Sequence, residues 1–575
     1  MTSPSNTPVK KQSIPRGVSV GPDLFPPKML LFAGMALVVV VCAVYAPSLG
    51  YQFILDDHRF IGDPRIQSPG HVWEYFSNFV WAQFTGGPPS FYRPIFVLWM
   101  RINFILNQMS PWGWHLLSIA KHILVAVLFG FLVWRLLRDP MAALLAMILF
   151  ALHPAQTESV AWVTVPDPLM AIGVLCALLF YLEYVERMAL REEMAREKSR
   201  KVSRRQVSLP AVKPWIFASV LAGCAALLAK ETAVLLPLLI FPLAIITVPA
   251  GSNQKALSVG ERLVKALRQT TPIVCVTLLY FLLRFHALGG TLGSSTQHLS
   301  WATVILSSPA TLWFYAKVLF WPIRSYSFAD PTVVSQFTFH DVVLPALGVA
   351  ALAVISVAAW LWAWRTIKLK LSGRGRIRTQ YALVSGALLL TLPLLLCLNL
   401  NGLNPGDFLH GRYTYLPSAG LMMLLATWWH LAGKFRLPML VVAALLGFTF
   451  VYLTLSQERQ WKDDLTVFTV AHELAPHNAP VARNLADAHV QAALQLGEQG
   501  RCSDAVPIFE QVTREYADNW FAFAALGDCL AQLNDLPRAE ESLARAAELS
   551  HNPRVIQEWQ ELRSSMGLPR SSQPR

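Results

Sequence analysis

Long apolar runs separated by short polar links occupy most of the chain up to Leu455. About 20 apolar residues suffice to cross a bilayer, and several of these runs are shorter than that. The alternation predicts eleven membrane crossings, all of them helical. The predicted crossings are residues 30–49, 113–136, 141–153, 168–185, 215–229, 232–248, 271–285, 341–364, 381–400, 418–433 and 437–455.

Two further apolar segments do not fit this pattern. Residues 92–110 contain Arg93 and Arg101, and a charge at mid-bilayer is costly. We therefore expect an amphipathic helix that lies along the outer face of the membrane. Residues 303–325 are interrupted by Lys317 and Pro322, and they are predicted to form an interfacial or re-entrant helix on the same side.

The pattern after Leu455 is that of a soluble helical domain. Residues 520–553 fit a 34-residue tetratricopeptide repeat, in which Gly527 is small because the two helices of the unit cross there. A second unit fits upstream, and residues 464–476 fit half of another. The sequence predicts a short repeat domain over 456–562, which leans on the membrane body, and a disordered tail over 563–575. An ordinary helical hairpin bundle is the alternative.

Composition and charge agree with this division. The chain is 54% hydrophobic and 14% charged, whereas soluble proteins carry about 25% charged residues. The net charge of +13 divides into −6 for residues 456–575 and +19 for the remainder. Lysine and arginine concentrate in alternate links, which is typical of cytoplasmic loops. The excess of positive charge in the membrane body therefore indicates membrane topology and not nucleic-acid binding. The same pattern predicts that residues 1–29 form a cytoplasmic tail and that the repeat domain lies on the outer side.

Seven cysteines are scattered without the spacing of a metal site. Five lie in apolar runs and are interpreted as small core residues. Cys502 and Cys529 lie in the repeat domain, and whether they pair stays open.

Two adjacent carboxylates, Asp56 and Asp57, open the first outer loop, predicted over residues 50–112. A carboxylate just outside a membrane span can act as a general base or hold a divalent cation. A metal ion on Asp56 is therefore left open. The alternative is a solvated loop or a helix N-cap.

Other polar residues also fall on the predicted outer side. They are His153 and Glu158 after a short span, Lys230 with Glu231 between two apolar runs, and His410, Arg412 and Tyr413 in the segment 404–418. Arg93, Lys230 and Arg412 could converge on a phosphate, because arginine suits bidentate phosphate binding and lysine acts as a point charge. Lys230 and Glu231 could instead simply neutralise each other. Lys121 and His122, inside a predicted span, are weaker candidates.

Several short motifs together resemble the membrane glycosyltransferases of the GT-C type, and in particular the transmembrane-and-tetratricopeptide protein O-mannosyltransferases and their bacterial homologues. The resemblance covers roughly residues 30–560. The motifs are Phe53-x-x-Asp56-Asp57 with Arg65, Tyr92-Arg93-Pro94, Leu149-Phe-Ala-Leu-His153-Pro154-x-x-x-Glu158-x-x-x-Trp162, Ala229-Lys230-Glu231, Gly411-Arg412-Tyr413-x-Tyr415-Leu416-Pro417-Ser418 and Trp461-x-Asp463.

This resemblance implies an all-α polytopic bundle that uses a sugar carried on a polyprenyl phosphate. It implies that Asp57 or Asp56 deprotonates the acceptor, which then attacks the sugar with inversion. It further implies that Arg93, Lys230 and Arg412 hold the leaving phosphate, with His153, Glu158 and Tyr413 beside them, and that the repeats dock an acceptor protein. The predicted repeat domain holds few repeats, so an envelope glycan or a lipid stays open as the acceptor. The identity of the sugar also stays open, with mannose as one candidate.

Two other classes of function remain as alternatives. A transporter or flippase of lipid-linked sugars would use the same intramembrane charges to pass a polar headgroup. A non-catalytic scaffold would use the repeats to recruit partners and would tolerate loss of the outer-side charges. The flippase predicts internal repeats of spans, which the sequence does not show.

Overall fold

A computed structural model describes residues 28–83, 91–200, 210–246, 258–290, 299–323, 333–402 and 409–569. The regular elements of these residues are helices, as an all-α fold requires. The predicted cytoplasmic tail lies almost entirely outside the described residues, as do 201–209 of a predicted basic loop. The α-helices of ten or more residues in the membrane body are α1 (Lys28–Tyr45), α2 (Pro94–Asn107), α3 (Pro111–Leu137), α4 (Pro140–Ala151), α5 (Asp167–Arg200), α6 (Lys213–Ala229), α7 (Leu236–Ile245), α8 (Val259–Ala287), α9 (Trp301–Phe320), α10 (Leu344–Lys370), α11 (Gly373–Leu396), α12 (Tyr415–Leu431) and α13 (Arg436–Glu458).

Each of the eleven predicted apolar runs is helical over most of its length. Among the described residues, eight helices are long and apolar enough to cross a membrane, and a ninth is added if α4 and the bent segment after it count as one. Helices α2, α6 and α7 are apolar but shorter. The chain is therefore an integral multi-pass membrane protein with an all-α fold.

The core of the bundle lies between α3, α4, α5 and α12, where small and aromatic side chains interlock. Little of α10 and α13 is buried against the rest of the protein, as expected of helices that face lipid. Helix α5 continues through the predicted loop start at residue 186. Glu186 at the start of this extension and Glu183 in the turn before it both bind the Arg135 guanidinium of α3, at 2.8 Å each.

Helix α9 occupies the segment predicted to be interfacial or re-entrant. It is a continuous 20-residue helix, and its length and composition would also allow a crossing. Its two ends, however, bind groups placed on the same predicted side. Before the helix, the Leu299 amide donates to Asn401 at 2.8 Å, and after it the Pro322 carbonyl accepts from Gln457 at 2.7 Å. The interfacial interpretation stays a prediction, supported by these two contacts.

Six helices follow the membrane body. They are α14 (Asp464–Leu474), α15 (Ala479–Glu498), α16 (Cys502–Glu515), α17 (Trp520–Gln532), α18 (Leu536–Ser550) and α19 (Pro553–Ser565). A disulfide joins Cys502 to Cys529 and so ties α16 to α17. Helix α19 extends into the predicted disordered tail, of which residues 570–575 lie outside the described residues. The limits of the repeat domain remain predictions.

Gly527 lies where α17 crosses α18, as the repeat pattern predicts. A Cβ atom at this position would lie 2.6 Å from Leu543 Cγ and 3.2 Å from the Ala539 carbonyl oxygen. These distances are shorter than van der Waals contact, so only glycine allows the two helices to approach this closely.

We therefore expect Gly527→Ala to lower the free energy of unfolding by about 1–3 kcal/mol, because the added methyl group overpacks the crossing. Gly447→Ala is the control, since a Cβ there meets no atom within 4 Å. Thermal unfolding of both variants in one detergent measures the effect. Equal midpoints for the two variants would contradict the proposed crossing.

Candidate active site

A cavity of about 700 Å³ opens between the first outer loop, the start of α5, the junction of α6 and α7, α8 and the segment before α12. Its charged lining has five cations and three acids, so an excess of positive charge faces the space. These residues are Asp56, Arg59, Arg93, Asp167, Lys230, Glu231, Arg284 and Arg412. The cavity therefore suits an anionic ligand such as a phosphate.

The adjacent carboxylates Asp56 and Asp57 lie in different environments. Asp56 is half-buried and lines the cavity. Asp57 is fully buried behind it, where it accepts hydrogen bonds from the Ile54 amide at 3.1 Å and from the Thr164 hydroxyl at 2.7 Å. Only Asp56 is therefore placed to reach a ligand in the cavity.

Burial also changes the proton affinity of Asp57. Loss of water around the carboxyl group raises its pKa to about 7, although the hydrogen bonds from Thr164 and Ile54 oppose the shift. A carboxylic acid of this kind contributes to the structure of the loop, and its oxygens already have partners. Arg65, another motif residue, is likewise buried and pairs with Asp63 at 2.9 Å.

Arg93 enters the cavity just before α2. Its Nε and Nη2 atoms donate to the two carboxylate oxygens of Glu231, at 2.8 and 2.5 Å. This fork-to-fork pair fixes the plane of the guanidinium. Glu231 is thus the partner of Arg93 and not of its neighbour Lys230, which contradicts the interpretation that Lys230 and Glu231 neutralise each other.

Lys230 instead extends to the start of α5. Its Nζ lies 2.6 Å from both carboxylate oxygens of Asp167, and it sits 4.9 Å from the centre of the Tyr413 ring. The lysine is 4% exposed and the aspartate 3%. A charge at this depth needs such a partner, because an unpaired ion loses its hydration without compensation.

Arg412 is held by a third acid. Its backbone amide donates to Glu158 at 3.1 Å, and its Nη1 lies 3.6 Å from the same carboxylate. His410 Nδ1 lies 2.8 Å from Glu158 as well. The guanidinium also stacks 4.5 Å from the centre of the Trp162 ring. Glu158 is buried and does not line the cavity, so it supports Arg412 from behind the cavity wall.

His153, His122 and Lys121 also lie outside the cavity lining. His153 caps the bend of 55° after α4, where its Nδ1 accepts from the Ala155 amide and its Nε2 donates to the Leu319 carbonyl. His122 donates to the Ala151 carbonyl and accepts from the Tyr415 hydroxyl. Lys121 is buried, with its Nζ 5.5 Å from the centre of the Trp99 ring.

Sequence reasoning missed three charged residues of the cavity, namely Asp167, Arg59 and Arg284. Arg284 lies in α8 next to the Tyr280 hydroxyl, at 3.4 Å. The sequence held a signal for two of them. Asp167 is an acid at the start of a predicted span and Arg284 is an arginine inside one, and both features are rare.

The residues around Asp56 do not form a metal cage. Within the described ranges of the chain, no group of three or more His, Cys, Asp or Glu side chains is arranged to hold an ion. Both oxygens of Asp57 bond to protein groups. We therefore derive no step through a divalent cation.

Comparison with known proteins adds independent information. No protein-family model matches the chain. Protein O-mannosyl-transferase Tmtc2 of Drosophila melanogaster is 36% identical over 153 residues, which are 26% of this chain and 16% of that protein. Protein O-mannosyl-transferase TMTC3 of Mus musculus is 35% identical over 149 residues, or 25% of this chain and 16% of that protein.

Among solved structures, the chain is similar to the archaeal oligosaccharyltransferase AglB from Archaeoglobus fulgidus in complex with an inhibitory peptide and a dolichol-phosphate. The TM-score is 0.37 at 13% identity, with 79% of this chain and 60% of that chain covered. These values are too low to support an argument about the site.

The chain spans about a sixth of the length of the first curated relatives that it matches. Over that part, its similarity to protein O-mannosyl-transferases of the TMTC type confirms the resemblance that the sequence motifs indicate.

Proposed function

We propose that the protein is a membrane glycosyltransferase that moves a sugar from a polyprenyl-phosphate donor to a hydroxyl acceptor at the outer face of the membrane. The observation that carries the proposal is a single cavity in which Asp56 shares the lining with five cations. The curated relatives are named protein O-mannosyl-transferases, so mannose is the sugar to test first. The N-terminus is then cytoplasmic and the repeat domain is periplasmic or luminal.

In the proposed reaction, Asp56 is the general base. It takes the proton of the acceptor hydroxyl while the acceptor oxygen forms a bond to the anomeric carbon of the sugar. The bond between that carbon and the phosphate oxygen breaks, and its electron pair leaves with the polyprenyl phosphate. One displacement of this kind inverts the anomeric centre.

The cations of the cavity stabilise the leaving phosphate. Arg93, Lys230 and Arg412 each have an acid beside them, which fixes their positions before the donor arrives. Charge that develops on the phosphate is then met by cations already in place, and little reorganisation is needed. Tyr413 lies against Lys230 and Arg412 and forms part of the same wall.

The acceptor reaches Asp56 from the repeat domain. A second cavity of about 300 Å³ lies between the first outer loop and helices α14 and α15. It shares Asp56, Arg59 and Trp162 with the main cavity. Acidic and amide side chains from the repeats complete its lining, as would suit a polar acceptor. They are Asp464, Asn484, Asp487 and Gln491.

We expect Asp56→Asn to reduce sugar transfer by about 10²-fold or more, because an amide cannot take up the proton of the acceptor. The measurement is mass spectrometry of outer-face glycoproteins and lipids from cells that carry the wild type, the variant or neither. The new glycan should appear only with the wild type.

Glu74→Gln provides the matched control, since Glu74 lies in the same loop, does not line the cavity and pairs with His71. It should leave transfer unchanged. A wild-type glycan profile with Asp56→Asn at equal protein level would exclude Asp56 as the base, and a profile independent of the whole protein would exclude the transferase.

Arg284 should contribute to donor binding. Arg284→Gln removes one cation from the cavity, and we expect the KM for a polyprenyl-phosphate sugar to rise roughly tenfold, equivalent to about 1.4 kcal/mol. Lys265→Gln, on the same helix, is the control. It removes a cation that lies 3.9 Å from Glu192 and does not line the cavity. Equal KM values for the two variants would show that Arg284 does not bind the donor.

Asp57 should make stability depend on pH. Its carboxyl group titrates at about 7 in the folded protein and at 3.8 ordinarily, so folding takes up a proton between these values. The contribution of Asp57 to the free energy of unfolding therefore falls as the pH rises from about 4 to 7. Asparagine does not titrate, so the stability of the wild type relative to Asp57→Asn should fall across this range.

Thermal midpoints of the two proteins at pH 5 and pH 8, in the same detergent, measure this difference. A difference that does not change with pH would show that Asp57 is not protonated in the folded protein near neutrality.

A further inference from the structure

The turn that carries Asp56 is held in an unfavourable conformation. Leu55, the residue before it, has φ of +52°, a left-handed value that side chains other than glycine, asparagine and aspartate rarely adopt. Such a conformation persists only where surrounding contacts fix it. The contacts on Leu55 therefore decide where the carboxylate of Asp56 points.

One contact comes from the membrane body. The carboxylate of Asp57 accepts a hydrogen bond from the amide of Ile54, the residue before Leu55, at 3.1 Å. It also accepts from the amide and the hydroxyl of Thr164, at 3.2 and 2.7 Å. These bonds fix the turn from beneath and join it to the segment before α5. They leave the amide of Leu55 itself without a partner in the membrane body.

The partner of that amide belongs to the repeat domain. Asp464, the first residue of α14, accepts from the Leu55 amide through Oδ1 at 2.9 Å. Its Oδ2 accepts from His58 Nε2, also at 2.9 Å, and this bond raises the pKa of His58 above its ordinary value. One carboxylate thus spans the backbone on both sides of Asp56.

The start of α14 is itself fixed against the membrane body. Asp463 caps the helix by accepting from the Thr466 amide at 2.9 Å. The Lys462 carbonyl accepts from the Gln52 amide at 2.9 Å. The backbone bond between Gln52 and Lys462 does not involve the Asp463 side chain, so it holds Asp464 beside Leu55 independently of the helix cap.

We propose that Asp464 is a positioning residue for the reaction, and that the repeat domain thereby completes the active site through its bond to the Leu55 amide. This inference rests on the proposed function. Without Asp464 the turn can relax toward negative φ at Leu55, which moves the carboxylate of Asp56 away from the acceptor. Small errors in the distance between reacting atoms lower turnover strongly.

The kinetic test compares Asp464→Ala, Asp464→Asn and Asp463→Ala in purified full-length protein, with mannosyl polyprenyl phosphate as donor. Asp464→Ala should lower kcat by about tenfold or more while the donor KM stays constant, since the cations of the cavity are untouched. Asp464→Asn should recover most of the kcat that Asp464→Ala loses, because the amide oxygen still accepts from Leu55.

Asp463→Ala is the control for a general loosening of the repeat domain. It removes the cap of α14 but leaves Asp464 beside Leu55, so kcat should stay within about threefold of the wild type. An equal loss of kcat in Asp463→Ala and Asp464→Ala would overturn the proposal, as would a wild-type kcat in Asp464→Ala.

Hydrogen exchange of the peptide that contains residues 54–58 provides a second readout that needs no activity. Exchange of the Leu55 amide should accelerate in Asp464→Ala and not in Asp464→Asn or Asp463→Ala. Unchanged exchange in Asp464→Ala would overturn the positioning role even if transfer is never detected. Failure of the wild type to transfer any sugar would instead overturn only the proposed function.

Discussion

Pairing of buried charges is the constraint on which the rest of the membrane body depends. A charged group removed from water is costly unless an opposite charge lies against it. Lys230 meets Asp167 across 63 residues of sequence, and Arg93 meets Glu231 across 138. These pairs cannot form unless the start of α5, the junction of α6 and α7, and the start of α2 converge. The convergence that satisfies the charges is the same one that encloses the cavity.

The excess of cations over acids in the lining gives the cavity its chemistry. A lining with equal numbers of both would attract an anion less strongly, whereas the observed lining carries five cations and three acids. Arg412 and Trp162 extend this wall toward the repeats, because the Trp162 ring also stacks with Trp461 at the start of the repeat domain, 6.2 Å away. The repeat domain thus contacts the cavity wall that Arg412 and Trp162 form, as well as the turn that carries Asp56.

Hydrophobic periodicity was sufficient to predict the helices of the body and the crossing at Gly527. Both follow from local sequence. The length of an apolar run determines whether a helix can span a membrane, and a small residue at a fixed repeat position allows two helices to cross closely. The limits of α5 and α19 were less predictable. In α5 the polar turns from residue 186 onward stay helical. Glu186, together with Glu183 one turn earlier, binds Arg135 of another helix, a contact that no local pattern contains.

The site could be predicted only as a set of residues on one side of the membrane, not as a set of roles. Asp56 and Asp57 are identical and adjacent in sequence, so spacing cannot tell which one faces the acceptor. The difference arises from Thr164, which takes up one carboxylate, and from the left-handed turn at Leu55, which directs the other into the cavity. That turn is held in part by Asp464, about 400 residues away. The orientation of the proposed base is therefore a property of the folded chain, including its repeat domain, and not of the motif that contains it.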